Sequence, residues 1–352
     1  MIDMSSVLQE KIIHANENNR TLQIIGGNSK DFYGRTPTGD KLKVNGNVGI
    51  INYEPTELII TARGGTPLSE IENILAENNQ MLPFEPPYYG DSATLGGTIA
   101  CNLSGSRRPY AGAARDYVLG IKLLNGKGEI LSFGGEVMKN VAGYDVSRLM
   151  CGALGTLGVL LEVSLKVLPK SENECTLVKE LDEKSAIATI ATLSNDALPL
   201  SASLYDGNRL YLRLCGTARS VSATQKKLGG EELSTSNKFW HKVNEHKHAF
   251  FDSRLPLWRL SIAPFTPPLA LEGKTLLDWG GAQRWLLSEL SAEKIRASVQ
   301  KLDGHACLFR NGDREQEVFH PLQPKLMALH RNLKNAFDPK GILNPGRLYK
   351  EF

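Results

Sequence analysis

Paired glycines that follow apolar runs are the feature of this chain that best supports binding chemistry. The apolar run Thr21–Ile25 leads directly into Gly26, Gly27, Asn28 and Ser29. A strand that ends in glycines leaves backbone N–H groups able to turn toward an anion, and the Asn28 and Ser29 side chains can also donate. The segment is therefore a candidate phosphate site, and a plain turn after a strand is the alternative interpretation.

A second glycine pair lies inside a predicted helix. Ser92 can open this helix, which runs through Thr94–Asn102 and carries Gly96 and Gly97 in its first turns. Each helical glycine costs up to about 1 kcal/mol relative to alanine, so two adjacent ones need a reason. Either another backbone packs closely against the helix, or a flat ligand lies there.

The elements that must position these glycines are short strands and helices. Thr66 and Pro67 predict the start of a helix, with Thr66 as its cap. Asp116–Leu124 and Glu129–Phe133 predict a β-hairpin. Thr156–Leu168 predicts one long strand, and Gly155 and Gly158 flank its start, where another backbone can approach closely.

The pattern changes after Pro169. Lys170–Glu174 is polar and predicts a linker, and the helices and strands that alternate beyond it predict a second α/β domain up to about His320. In the tail, apolar residues follow one face of a predicted helix. They are Leu322, Leu326, Leu329, Leu333 and Phe337.

Composition excludes several classes of protein. Lys+Arg 41 against Asp+Glu 38 leaves a net charge of only +3, without the dense basic run of a nucleic-acid-binding protein. The five cysteines are scattered without a C-x-x-C pair, which argues against zinc or an iron–sulfur cluster held by this chain alone. No strand is followed by G-x-G-x-x-G, so a Rossmann site has no support. We expect no signal peptide and no transmembrane span.

The ordered motifs GGNS, PPYYGDSATLGGTIACN, RDYVLG and KNVAGYDVSRLMCGALGTLGV resemble the vanillyl-alcohol-oxidase-type, or PCMH-type, FAD-binding family. The terminal turn Asn344-Pro345-Gly346-Arg347 resembles the closing turn of that fold. Within the family, MLPFEPPYYG, FGGEVMKNVAGYD and LLDWGGAQRWL resemble the E subunits of bacterial glycolate oxidases, also called glycolate dehydrogenases.

The resemblance implies an α+β fold and a set of cofactor contacts. It predicts a PCMH-type FAD-binding domain of two α/β subdomains over residues 1–169, an inserted α/β cap over 170–320, and a segment 321–352 that returns to the FAD domain. FAD is expected to be non-covalent, because Asn28 stands where some relatives carry a flavin-linked histidine. The residues implied in FAD binding are Gly26, Gly27, Asn28, Ser29, Pro87, Thr94, Gly96, Gly97, Asn102, Gly155, Gly158, Val159 and Asn344.

The catalytic residues are less strongly indicated. Oxidation of a 2-hydroxy acid needs a cation for the carboxylate and a base for the hydroxyl proton. Related dehydrogenases carry an H-x-G-D-G-N-x-H segment that this chain lacks. Arg107 and Arg108 are the candidate cations and His305 the candidate base, against the alternatives of surface arginines and a structural histidine. No metal site is predicted.

The resemblance implies three candidate functions. The first is a subunit that oxidises glycolate to glyoxylate beside an FAD-binding D subunit, with an iron–sulfur F subunit passing electrons to quinone. The second is a stand-alone FAD enzyme for a small 2-hydroxy acid such as D-lactate. The third is an assembly subunit that binds FAD without substrate chemistry of its own. The chain is expected in the cytoplasm, with peripheral membrane association only through its complex.

Overall fold

The computed structural model of the protein describes residues 1–135 and 145–351, and it divides into two compact units. The first unit comprises Met1–Leu103, Ala113–Pro169 and Arg314–Phe352, and the second comprises Ser104–Gly112 and Lys170–Asp313. Helices and sheets occur in both, so the class is α+β as predicted. Residues 136–144, which include the first six residues of the motif KNVAGYD, lie outside the described residues.

Among the described residues, the first unit contains one five-stranded sheet and two smaller sheets of two strands each. Its main sheet is antiparallel in the order β3-β4-β8-β6-β7, β1 and β2 form a parallel pair, and β5 pairs with β9. The strands are β1 Leu22–Ile25, β2 Asp40–Lys43, β3 Ile50–Glu54, β4 Ile59–Arg63, β5 Gln80–Met81, β6 Val118–Leu124, β7 Ile130–Gly134, β8 Val159–Lys166 and β9 Leu168–Pro169.

Strand β8 is the central strand of this sheet, and it begins with three apolar residues, Val159–Leu161. Val159 and Leu161 pack into a cluster with the first helix and the C-terminal segment, whereas Leu160 packs into the larger cluster of the sheet. Because side chains alternate between the faces of a strand, a strand covered on both sides reads as a continuous apolar run. This explains the continuous run Val159–Leu161, beyond which Val163 and Leu165 alternate with the polar residues Glu162, Ser164 and Lys166.

Five described α-helices belong to the first unit. They are α1 Ser5–Glu17, α2 Leu68–Glu77, α3 Leu95–Cys101, α5 Val146–Leu149 and α10 Pro324–Phe337. Helix α2 buries Leu68, Ile71 and Leu75 against the main sheet, as their spacing predicts.

The C-terminal segment of the first unit runs beside β1. The Leu22 amide donates to the Ile342 carbonyl at 2.7 Å, and the Asn344 amide donates to the Leu22 carbonyl at 2.9 Å. Leu22 and Leu343 thereby form a parallel β-bridge. These bonds bring Asn344 to the strand that leads into the first glycine pair.

The second unit is built on an antiparallel sheet in the order β13-β10-β12-β11-β15-β16-β14-β17. Its strands are β10 Asn173–Glu180, β11 Leu200–Tyr205, β12 Arg209–Gly216, β13 Glu231–Glu232, β14 Leu257–Ser261, β15 Lys274–Asp278, β16 Gln283–Leu287 and β17 His305–Arg310. Its described helices are α4 Arg108–Ala111, α6 Glu183–Ser194, α7 Ala218–Leu228, α8 Ser236–Asn244 and α9 Ala292–Gln300.

Three local predictions differ from the structure. Thr66 does not cap α2, because its hydroxyl exchanges hydrogen bonds with the Gly49 backbone, and Pro67 takes the cap position. The predicted linker 170–174 overlaps β10, whose pairing with β12 begins at Asn173. The predicted long strand is divided into β8 and β9.

The division into residues 1–169, 170–320 and 321–352 stays a prediction about domains. By their contacts, Ser104–Gly112 belongs to the second unit and the chain from Arg314 onward belongs to the first. Among the described helices, none is long and apolar enough to cross a membrane.

Candidate functional site

A cavity in the first unit collects most of the predicted cofactor-binding residues. Its walls come from the turn after β1, the start of α3, the approach to β8 and the C-terminal turn. The predicted residues that line it are Gly26, Gly27, Asn28, Ser29, Thr94, Gly96, Gly97, Gly155, Gly158, Val159 and Asn344.

The turn after β1 offers a run of hydrogen-bond donors. Within the described part of the chain, none of the backbone N–H groups of residues 26–29 donates to a protein acceptor. Asn28 has a left-handed backbone, with φ of 61°, which turns the chain sharply at this point. Successive unpaired amides in such a turn form a concave site suited to an anion.

Gly27 permits a close crossing of two loops. A Cβ atom at this position would lie 1.4 Å from the Ser92 carbonyl oxygen, so no larger residue fits without movement of the backbone. The Ser92 hydroxyl donates to the Gly27 carbonyl oxygen at 2.5 Å. The two glycine-rich segments are therefore joined directly at one wall of the cavity.

The glycine pair of α3 has two different explanations. The Gly96 amide donates to the Gly64 carbonyl at 2.7 Å, and a Cβ on Gly96 would lie 2.9 Å from that oxygen, so close backbone packing requires this glycine. Gly97 donates instead to the hydroxyl of Thr94, which caps α3. Both glycines line the cavity, so packing and an open surface for a ligand coexist here.

Asn344 connects three segments of the site. Its side-chain oxygen accepts from the Ile24 amide at 2.7 Å, and its side-chain nitrogen donates to the Leu154 carbonyl at 2.6 Å. A Cβ on Gly155 would lie 2.8 Å from that nitrogen. Since Asn344 is almost fully buried, these bonds hold β1 and the turn before β8 together.

Two predicted cofactor residues do not line the cavity. Pro87 is buried elsewhere in the first unit. Asn102 ends α3 in a left-handed conformation, and its side-chain oxygen accepts from the Arg115 amide at 3.2 Å. Their roles in binding stay predictions.

The predicted catalytic residues belong to the second unit, whereas the cavity is lined by the first. Arg107 forms an ion pair with Glu174 at 3.5 Å and contacts the Cys215 sulfur. The Arg108 guanidinium lies 4.4 Å from the centre of the Trp279 ring, a cation–π contact. His305 is exposed at the start of β17. The catalytic roles of these three residues stay predictions.

The described residues contain no group of three or more His, Cys, Asp or Glu side chains placed to hold a metal ion. His246 instead stacks on Phe251 with a ring-centre distance of 3.8 Å, and burial lowers its pKa well below the ordinary value. This histidine is part of the aromatic core of the second unit.

Sequence reasoning missed several residues of the cavity. Lys30, Asp31 and Arg347 bring charge to its lining, and Cys101 brings a thiol. Burial raises the pKa of Cys101, against the opposing effect of Lys30 and Arg347, so the group is a neutral thiol at neutral pH. Arg347 follows the terminal Asn-Pro-Gly turn, and this adjacency to Asn344 was the one available signal.

Comparisons with known proteins agree with this architecture. Residues 6–134 match the family described as FAD binding domain, and residues 313–348 match the family FAD linked oxidases, C-terminal domain. The chain is 46% identical over 349 residues to glycolate oxidase subunit GlcE of Escherichia coli (strain K12), covering 99% of this chain and 98% of that protein.

Two further similarities are more distant. Glycolate oxidase subunit GlcD of Bacillus subtilis (strain 168) is 34% identical over 140 residues, which is 40% of this chain and 29% of that protein. A solved structure of alkyldihydroxyacetonephosphate synthase superposes with a TM-score of 0.66 at 14% identity, covering 97% of this chain and 75% of that one. The latter similarity concerns the fold alone.

Proposed function

We propose, because the chain belongs to the family of FAD-linked oxidases that includes glycolate oxidase subunit GlcE, that it is the FAD-binding subunit of a multi-subunit glycolate oxidase. In this proposal the complex oxidises glycolate to glyoxylate and contains a D subunit with its own FAD. An iron–sulfur F subunit passes the electrons to a quinone. The complex would lie in the cytoplasm, at the inner face of the membrane.

The observation that carries this proposal is the donor set of the cavity. FAD contains a doubly charged pyrophosphate, and the run of backbone N–H groups over residues 26–29 has no protein acceptor among the described residues. Lys30 and Arg347 add positive charge to the same lining, against the single carboxylate of Asp31. Amides and cations together suit a dinucleotide anion, so the residues present fit the cofactor.

The cavity residues divide into three sets by position. In our proposal Gly26, Gly27, Asn28 and Ser29 bind the pyrophosphate. The start of α3, with Thr94, Gly96 and Gly97, lies along the ribityl chain and flavin ring, and Asn344 approaches the flavin from the C-terminal turn. The turn before β8, with Gly155, Gly158 and Val159, lies beside the adenosine half.

Bound FAD would supply a two-electron acceptor, which takes the hydride equivalent that a hydroxy acid loses as its hydroxyl proton leaves. The described residues do the work of binding and positioning. Thr94 caps α3, Asn344 joins β1 to the turn before β8, and the contact between Gly27 and Ser92 joins the two glycine loops. Among the described residues that line the cavity, Asp31 has the one carboxylate, and that carboxylate is paired with Arg314 and Arg347.

A second candidate function is an FAD-binding assembly subunit without substrate chemistry of its own. Its support is the state of the predicted catalytic residues: Arg107 pairs with Glu174, and Arg108 lies over Trp279. Guanidinium groups held in this way are already occupied within the second unit. The stand-alone D-lactate-type enzyme has no comparable observation in its favour.

Anaerobic reduction separates these functions. The purified chain with bound FAD is mixed with glycolate or D-lactate, alone and together with the D and F subunits, and the visible absorbance of the flavin is followed. Bleaching of the isolated chain by D-lactate would favour the stand-alone enzyme. Bleaching by glycolate that needs the partners, and that exceeds the flavin contributed by the D subunit, supports the subunit, and a folded chain that binds no FAD would refute the whole proposal.

Substitutions in the assembled complex test the second candidate. Glycolate turnover that is unchanged in Arg107→Met and His305→Gln, with full FAD content, would remove both residues from the active site, as the second candidate expects. A large loss of turnover with FAD content retained would place substrate chemistry on this chain instead.

We also propose that the FAD is not covalently bound. Asn28 cannot form the histidine linkage of some relatives, and the buried Cys101 is a neutral thiol, which is a weak nucleophile. Acid denaturation should therefore release all the flavin into the supernatant. Yellow colour that stays with the precipitate of the wild type but is lost in Cys101→Ala would contradict this.

A further inference from the structure

Arg347 is a buried cation in the cavity lining that the glycine motifs do not include. Its side chain is 9% exposed. A guanidinium stays protonated at any pH a protein survives, so the charge persists although burial lowers the Arg347 pKa. Burying a charge is costly unless another charge compensates it.

The compensation that the protein itself provides is incomplete. The Asp31 carboxylate lies 3.5 Å from the Arg347 guanidinium and 3.7 Å from that of Arg314, so one acid is shared by two bases. The Asp31 side chain is 44% exposed, and water therefore screens both pairs. Among the described residues, no other carboxylate pairs with Arg347.

The backbone contacts of Arg347 place it beside the donor turn. Its guanidinium donates to the Arg35 carbonyl at 3.0 Å and to the Asp31 carbonyl at 3.1 Å. The Asp31 amide in turn donates to the Asn28 carbonyl at 3.2 Å. The buried charge is therefore two hydrogen bonds away from the amides of residues 26–29, and both face the same cavity.

We infer that Arg347 is a specificity-determining residue, which makes this cavity select flavins that carry a pyrophosphate over uncharged flavins. The inference rests on the proposed function, since it requires that the cavity binds FAD. The bound pyrophosphate supplies the negative charge that Asp31 only half provides, and riboflavin, which has no phosphate, gains nothing from the guanidinium.

The test compares FAD with riboflavin on the apoprotein, with quenching of flavin fluorescence as the measure of binding. Arg347→Met should weaken FAD binding by roughly 10- to 100-fold, the usual scale of a charge-assisted hydrogen bond lost from a buried site, and leave riboflavin binding within about twofold. Arg347→Lys keeps the charge and should retain most of the preference for FAD, which also covers the case that the Met variant folds poorly.

Arg314→Met is the matched control. Arg314 contacts the same Asp31 and donates to the Gly34 carbonyl at 2.8 Å, but it does not line the cavity. This variant should lose thermal stability and keep the ratio of FAD to riboflavin affinity. Equal weakening of both flavins in Arg347→Met, or no weakening of either, overturns the inference, whereas a wild type that binds neither flavin refutes the proposed function instead.

Discussion

Two loops cross so closely at Gly27 that only glycine fits at this position without movement of the backbone. Gly27→Ala would place a Cβ atom 1.4 Å from the Ser92 carbonyl oxygen, so one of the two glycine loops must move. We expect a loss of about 1–3 kcal/mol in stability, the usual cost of overpacking, and a marked fall in FAD content. Thermal unfolding and the ratio of flavin to protein absorbance measure the two effects.

Gly46→Ala is the control for this substitution. A Cβ on Gly46 also meets an atom closely, at 2.6 Å, but that atom is the sulfur of the flexible Met4 side chain. Met4 can move aside, so FAD content should stay unchanged. If Gly27→Ala keeps its flavin as well, the contact with Ser92 does not shape the cofactor site.

His246 gives the second unit a predictable sensitivity to acid. Burial, with Arg310 and Arg259 adding to it, lowers the pKa of His246 well below its value in an unfolded chain, about 6.5. The folded state then binds fewer protons than the unfolded state below that pH. Stability is full above pH about 6.5 and falls by up to about 1.4 kcal/mol for each pH unit below it, until the folded pKa is reached.

Replacement by phenylalanine isolates this effect. His246→Phe keeps a ring against Phe251 and should flatten the loss of stability below pH about 6.5, as measured by chemical denaturation at several pH values. Part of the slope should remain, because burial also lowers the pKa of His248. A slope that is unchanged in His246→Phe would contradict the assignment.

At the residue scale, the glycines of the cavity were predictable from the sequence, whereas its charged residues were not. Gly27 and Gly96 stand where another backbone approaches, and glycine pairs at strand and helix ends indicate such approaches directly. Arg347 and Cys101 enter the cavity only because segments distant in sequence pack together. An ordinary arginine after a turn carries no local pattern that distinguishes a buried charge from a surface one.

At the scale of elements, a buried ion pair attaches helix α10 to the C-terminal segment. The buried Lys334 ammonium donates to the carbonyls of Thr156 and Leu343 and pairs with the Asp338 carboxylate at 2.7 Å. Asp338 also accepts the Leu343 amide at 2.8 Å. Since Asn344 comes next in the chain, this pair positions the C-terminal turn of the cavity.

Lys334→Met should therefore be costly. It leaves the Asp338 carboxylate buried without its cation, which typically costs about 3–5 kcal/mol, and FAD content should fall with the displaced turn. The double variant Lys334→Met/Asp338→Asn should be more stable than Lys334→Met alone, because the uncompensated charge is gone. Lys325→Met, on the exposed side of the same helix, should have little effect. Simple additivity in the double variant would contradict a coupled pair.

The apolar pattern of α10 predicted the helix but not its surroundings. Leu326 and Leu329 are 43% and 58% exposed, while the charged Lys334 is the buried residue of the helix. Helical spacing predicts which residues share one face of a helix, but it does not predict which other elements cover that face. The hairpin of β6 and β7 was predicted correctly, because its signal is local: two apolar runs around an Asn-Gly turn.

At the scale of the whole molecule, the change of pattern after Pro169 anticipated the start of the second unit's main segment. Ser104–Gly112 could not be assigned to that unit from sequence. Its place depends on contacts such as the bond from the Trp279 indole to the Gly105 carbonyl at 2.9 Å, between residues that are far apart in the chain. Such pairings depend on the folded sheet of the second unit, and they leave no pattern in the local sequence.

The two units contain separate hydrophobic clusters, so we expect separate responses to ligand and to acid. FAD at 100 times its dissociation constant should stabilise the unit with the cavity by about 2.7 kcal/mol and raise one calorimetric transition. Lowering the pH below about 6.5 should lower the other transition, through His246. The acid shift should become smaller in His246→Phe, with the part due to His248 remaining, while the FAD shift persists. A single transition that moves with both FAD and acid would mean that the units unfold together, and the separation of their stabilities would be wrong.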